Sequence, residues 1–197
     1  MEKLAIEFVD GIAKTEAVTF PRSGHHLLKN ILEYYFDGSL HYCSVHEDSE
    51  DLRLGVHPLT NFQKNHDFDL KTKVTDDRRY LIQVRDPMDS VESWIHLTQR
   101  IGTNGTTLPV YNSWKVDIMD KLNYWIGFIE KWVVNHVPNR LVVSYQDLLN
   151  RPESVVTSVI QHLRGKAEVD GKRVKESIDK FQPKPQFSAR PAFYERA

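Results

Sequence analysis

Residues 18–28 read VTFPRSGHHLL, a short apolar run that stops at a proline, turns through Arg-Ser-Gly and enters a helical pattern. The helix is marked by Leu27, Leu28, Ile31, Leu32, Tyr35 and Phe36, apolar pairs recurring every four residues, so one face is apolar from Gly24 to about Phe36. A strand that turns straight into a helix aims the unbonded N–H groups of the first helical turn at one spot, with the positive end of the helix dipole behind them. Gly24 lets the backbone pass close to a ligand, Ser23 offers a hydroxyl, and Arg22 offers a planar fork of donors suited to phosphate or sulfate. The stretch therefore predicts an anion site. It lacks the Gly-Lys-Ser/Thr ending with which nucleoside triphosphatases hold magnesium, because His25 and His26 follow the glycine. On this stretch alone, a turn that merely starts a helix is an equal alternative.

Outward from it, short β-branched runs alternate with longer helical periodicities, which predicts an α/β fold with a central parallel sheet flanked by helices. Strands are expected at Ala17–Phe20, Asn61–Lys64, Tyr80–Val84 and Leu141–Ser144. A second helix opens at Asp86-Pro87, a capping carboxylate before a first-turn proline, and carries Met88, Val91 and Ile95 on one side. A third covers roughly Ser113 to His136, with Ile118, Leu122, Trp125, Ile126, Ile129 and Val133 at helical spacing. Val155, Val156, Val159, Ile160 and Leu163 mark a fourth from Pro152, and Val169 to Phe181 adds a fifth. Asp37–Leu59 and Gly102–Asn112 read as loops, and the tail from Gln182 is punctuated by prolines.

Composition narrows the function classes. The 197 residues, 40% of them hydrophobic, suit one domain with its own core, so residues 1–197 are read as a single domain. Lys plus Arg number 26 against 27 Asp plus Glu, so no global field draws the chain to nucleic acid or a membrane, and any anion site must be built locally. A lone cysteine, Cys43, excludes an internal disulfide. Without a signal-peptide pattern or a run approaching the ~20 apolar residues of a membrane span, a cytoplasmic protein is expected. His25 and His26 are adjacent and diverge on a helix, and no zinc-like spacing of Cys, His or Glu occurs, so no metal is expected.

Three further patterns follow the opening turn in order. They are Lys64-Asn65-His66, Arg85 at a strand end with Ser93 in the next helix, and Tyr145-Gln146-Asp147-Leu148 before the helix at Pro152. With Phe20-Pro21-Arg22-Ser23-Gly24-His25-His26-Leu27, this set resembles the family of sulfotransferases that use 3′-phosphoadenosine-5′-phosphosulfate. That family reads Tyr-Pro-Lys-Ser-Gly-Thr-Thr-Trp, Lys-Thr-His, Arg with a Ser eight positions on, and Tyr-Glu-Asp-Leu. The likeness runs from about residue 17 to 165.

The resemblance implies a phosphate-binding strand, loop and helix in which Arg22, Ser23, Gly24, His25 and His26 surround the 5′-phosphosulfate, with Arg22 beside the leaving oxygen. Arg85 and Ser93 would grip the 3′-phosphate, Tyr145 would lie near the adenine, Lys64 would steady the transferring group, and His66 would be the base. It further implies a hydroxyl or amine acceptor, such as a small molecule or carbohydrate, and release of adenosine 3′,5′-bisphosphate without a metal. The chain departs from the pattern at His25, His26 and Leu27, and its tail has no late Arg-Lys-Gly triplet. Two rivals remain at this stage, a magnesium-dependent small-molecule kinase and a non-catalytic nucleotide-binding protein. Asn65-His66-Asp67 also reads as a capped turn, and Trp94, Tyr111 and Trp114 read either as acceptor-pocket residues or as core.

Overall fold

A computed structural model describes residues 6–44, 58–102, 111–165 and 167–181. The described chain begins with a hairpin, β1 (Phe8–Val9) antiparallel to β2 (Ile12–Ala13), turned by Asp10 at φ 52° and Gly11 at φ 73°. Two successive left-handed residues match the twist of paired strands, and Asp-Gly is among the pairs that adopt this conformation most readily. β3 (Thr15–Thr19) follows and is buried along its whole length. It is the middle strand of a five-stranded parallel sheet with β4 (Tyr42–Ser44), β5 (Phe62–Asn65), β6 (Arg79–Val84) and β7 (Arg140–Ser144), in the order β4-β5-β3-β6-β7. Glu16 sits inside that central strand, where it accepts from Asn65 Nδ2 at 2.7 Å and pairs with Arg78 at 3.2 Å. Those partners are what make a buried carboxylate tolerable there.

Helices cover both faces. On one, α1 (His25–Phe36), α4 (Tyr145–Asn150), α5 (Pro152–Arg164) and α6 (Gly171–Phe181) enclose Ala17, Leu28, Ile31, Leu32, Leu81, Val156, Ile160 and Ile178. On the other, α3 (Tyr111–Ile129) and the π-helical turn that extends it (Glu130–Val134) cover Val18, Phe20, Tyr80 and Ile82. α2 (Pro87–Gly102) links β6 to α3, its start capped by Asp86, whose Oδ1 accepts from Asp89 N at 3.1 Å. The protein is thus an α/β fold with a central parallel sheet flanked by helices, and among the described residues no helix is long and apolar enough to cross a membrane.

All the expected strands and helices occur, with bounds that move by a residue or two. The differences have physical causes. β4 falls inside Asp37–Leu59, where three half-buried residues at a sheet edge carry too little pattern to be seen. Residues 45–57 and 103–110, and the tail from 182, lie outside the described set. The long helix is apolar around most of its girth, so periodicity alone does not select its buried side. The sheet does: Phe128 meets Phe20 and Trp132 meets Tyr80, with ring centroids 5.8 and 5.6 Å apart, while Ile126 is left 58% exposed. Met88, placed at the very start of α2, faces solvent, whereas Val91 one turn on is buried.

Candidate functional site

Because the strands are parallel, the segments that leave β3, β5, β6 and β7 emerge at one end of the sheet. Arg22–His26, Lys64, His66, Arg85 and Tyr145 are on or next to those exits, and Ser93 is in α2 beyond β6. Open parallel sheets bind ligands at this end.

The exit from β3 is the turn Phe20–Gly24. Arg22 (φ 67°) and Gly24 (φ 83°) are both left-handed, which reverses the chain so that α1 starts directly above the strand. No side chain caps that helix. Its first N–H groups therefore stay available to an anion. A side chain at Gly24 is excluded twice, by φ and by the ring of Tyr145, which a Cβ would strike. The Ser23 hydroxyl is buried with no hydrogen-bond partner among the described residues, an orphaned polar atom beside the turn that fits an oxyanion.

On the β5 side, His66 Nδ1 lies 2.6 Å from the Thr19 carbonyl and 3.2 Å from the Thr19 hydroxyl. A carbonyl only accepts, so Nδ1 carries the proton and the lone pair of the neutral ring is on Nε2. The carbonyl of His66 accepts from the Tyr124 hydroxyl. The loop beyond is fixed by Asp67, fully buried, which accepts from Lys131 Nζ at 2.6 Å, Trp132 Nε1 at 2.8 Å and Thr72 N at 2.8 Å. The capped-turn reading is thus correct for Asn65, whose Oδ1 accepts from Asp67 N, and it coexists with a positioned His66. Lys64 is only 8% exposed, and no hydrogen bond or ion pair ties its ammonium to another described residue. Burial holds its pKa below the usual lysine range. It also repels protons from His25 and His26. Around His66, Phe68 (41% exposed), Trp94 and Tyr124 form an aromatic wall with centroids 5.0 to 6.3 Å apart, and Trp94 also packs edge-on against Phe20. The side chains of Tyr111 and Trp114 lie outside the described set.

On the β6–β7 side, Arg22 Nε donates to Ser93 Oγ at 2.9 Å and Arg85 Nη1 donates to the Arg22 carbonyl at 3.3 Å. The Arg85 guanidinium lies 4.7 Å from the centre of the Tyr145 ring. That ring therefore packs between Gly24 and Arg85. The carboxylate paired with Arg85 is Asp89, at a long 3.9 Å, and Arg85 Nε is buried without a partner. The structure thus joins Arg22, Gly24, Arg85, Ser93 and Tyr145 in one contact chain, and gathers Lys64, His66, His25 and His26 on the opposite flank of the same turn. Arg22 thus sits between the turn and α2, its Nε on the Ser93 hydroxyl.

No family model matches the chain, and no curated protein matches it significantly.

His25 turns its ring inward. Nδ1 donates to Gln83 Oε1 at 2.8 Å, Nε2 accepts from the Tyr42 hydroxyl at 3.3 Å, and the ring stacks on Phe62. Its backbone N–H, not its ring, remains for a ligand. Gln83, Thr19, Asp67 and Lys131 are the support residues that sequence reading missed. The register Thr19↔Gln83 places the two side by side at adjoining strand ends, a relation visible only once the strand order is known. His26 stays at the exposed surface, its pKa lowered by partial burial and by Lys64, Lys29 and Arg22. Among the described residues no group of three His, Cys, Asp or Glu side chains is arranged to hold a metal.

Two histidines make stability depend on pH. Burial depresses His25 to about 3, with Lys64 adding to the effect and the Gln83 bond opposing it, and burial with Arg79 nearby depresses His162 to about 4. Both stay neutral in the folded state at pH values where the unfolded chain, titrating near ~6.5, takes up protons. Stability is therefore full above that value and lost as pH falls through it toward 3. Urea unfolding at stepped pH should show a slope approaching about 1.4 kcal/mol per pH unit for each histidine that protonates only on unfolding. His25→Asn should flatten the profile between pH 6 and 4; an unchanged slope would show that the His25 ring is not held neutral by burial.

Proposed function

We propose that the protein is a sulfotransferase that moves the sulfuryl group of 3′-phosphoadenosine-5′-phosphosulfate to a hydroxyl or amine acceptor and releases adenosine 3′,5′-bisphosphate. One observation carries the reading. A pair of arginines, Arg22 and Arg85, on one side and the buried Lys64 on the other, each poorly neutralised by the described residues, flank a single helix-initiating turn at the ligand end of the sheet. A donor with a phosphosulfate at one end of its ribose and a phosphate on the other side matches that arrangement in charge and in number of anionic groups.

In this reading the amides at the start of α1 and the Ser23 hydroxyl hold the 5′-phosphosulfate, and Lys64 neutralises the oxygens of the transferring group. The acceptor oxygen or nitrogen attacks sulfur from the side opposite the 5′-phosphate. As that bond forms, the sulfur–oxygen bond to the phosphate breaks and its electron pair leaves with the nucleotide. The acceptor proton passes to His66 Nε2, the basic nitrogen fixed by the Nδ1–H bond to Thr19. There is little covalent chemistry for the protein to perform, so positioning and electrostatic stabilisation supply the rate.

Arg85 and Ser93 would hold the 3′-phosphate. Each would make a charge-assisted hydrogen bond of typically ~1.5–3 kcal/mol. Arg85→Ala should therefore weaken adenosine 3′,5′-bisphosphate by about one to two powers of ten while leaving adenosine 5′-monophosphate nearly unchanged. Calorimetric titration of both nucleotides decides the point. Equal weakening of the two would make Arg85 a structural brace for Tyr145 and withdraw the support it gives to this function.

A further inference from the structure

We infer that the outer face of α3 is the interface of a symmetric dimer, in which the helix packs antiparallel against the same helix of a second copy with the two-fold axis at Ile126. The ground is a row of side chains. Met119, Ile126 and Val134 are 52%, 58% and 69% exposed, on a helix whose other side packs on the sheet through Phe128 and Trp132. Met119 and Ile126 are seven residues apart, close to two full turns, and share a face. Val134 is eight residues beyond Ile126, which in a regular helix would carry it about 100° further round. The π-helical turn Glu130–Val134 takes up the extra residue and returns Val134 to the same line. Half-buried Leu122 and Ile129 widen the row on one flank. Apolar side chains scattered singly over a surface need no partner, but a contiguous stripe marks an interaction surface.

The order of residues along the stripe identifies the occupant. In a two-fold interface residue i meets residue j and j meets i, so the stripe must read alike in both directions. With the axis at Ile126 it does. Met119 and Val134 lie at nearly equal distances on either side, about 10.5 Å at ~1.5 Å per residue once the extra residue of the π turn is discounted, so Met119 meets Val134 of the second copy. Leu122 meets Ile129 on the half-buried flank. On the other flank the exposed Asn123 meets the exposed Glu130, an amide donor against a carboxylate acceptor. Parallel pairing of the same two helices sets Glu130 against Glu130, so charge selects the antiparallel arrangement. Contact over about 21 Å of a helix ~10–12 Å across covers well under the ~800 Å² per partner of standard stable complexes, which places the dimer in the reversible class.

Sedimentation equilibrium of the full chain between about 1 and about 300 µM should show a reversible dimer with a micromolar dissociation constant. Ile126→Asp sets two carboxylates against each other at the axis and should raise that constant at least about a hundredfold, with the unfolding midpoint unchanged because the position is at the surface. Cysteines in a Cys43→Ser background fix the register. Ile126→Cys should form an intermolecular disulfide on mild oxidation, because facing helices ~8–10 Å apart bring the two Cα atoms at the axis within the ~4.4–6.8 Å that a disulfide spans. Met119→Cys and Val134→Cys should cross-link only when mixed, since each lies about 21 Å from its own copy. A wild type that stays monomeric over the whole range, its stripe covered by other residues of the chain or reserved for a different protein, overturns the proposal. So does a dimer that survives Ile126→Asp, which uses another surface, or one in which Met119→Cys cross-links alone as readily as Ile126→Cys, which is parallel.

Discussion

Replacing His66 with alanine is expected to lower turnover by ~10²-fold or more while donor affinity stays nearly constant, the size and pattern of a lost general base. The structural grounds are specific. The Thr19 carbonyl fixes the proton on Nδ1, so Nε2 is held as the basic nitrogen at the sheet end where the acceptor would arrive. The substitution removes the Nδ1–H bond to Thr19 but keeps the bonds of Asp67 and Asn65, which should hold the loop in place. Single-turnover kinetics with a working acceptor separates the chemical step from binding. Comparable turnover in the variant would remove His66 from the reaction.

The largest effect on stability is expected at Asp67. Its buried carboxylate accepts from Lys131, Trp132 and Thr72 and joins the loop after β5 to the π-helical turn. Asp67→Ala leaves the Lys131 ammonium, only 21% exposed, and the Trp132 N–H without that partner. Breaking a buried pair in this way costs about 3–5 kcal/mol. Lys131 keeps its bonds to the carbonyls of Leu70 and Thr72, which sets the expectation at the lower end of the range. Urea unfolding checks it, and a loss below about 1 kcal/mol would show that those carbonyls suffice. Since the same loop carries His66, the variant should also lose turnover where it remains folded.

The parts of the fold legible in sequence are those whose physics is local. The apolar face of α1, the Asp86-Pro87 start of α2 and the β-branched run at Val18 each declare their element without reference to the rest. The hairpin at Phe8–Ala13 was equally legible from Asp10-Gly11, a turn signal that a search for longer strands passes over. What remained hidden depends on strand order. Gln83 reads as an ordinary strand residue until β6 is known to lie beside β3, when it becomes the acceptor that turns His25 inward. Asp67 and Lys131 are 64 residues apart, and nothing local pairs them. The candidate site was legible as a list of residue types at strand exits; the bond from Arg22 to Ser93, 71 residues away, was not.

The central claim is that this end of the sheet takes a 3′-phosphorylated adenine nucleotide as the carrier of a sulfuryl group. The most direct measurement is calorimetric titration of the wild-type chain with adenosine 3′,5′-bisphosphate in chelator, set against ATP with magnesium. The bisphosphate should bind at least about tenfold more tightly, the worth of one well-formed charge-assisted contact at Arg85 or Ser93. Tighter binding of the magnesium–ATP complex, with the bisphosphate bound no better than adenosine 5′-monophosphate, would contradict the account and favour a phosphoryl-transfer enzyme.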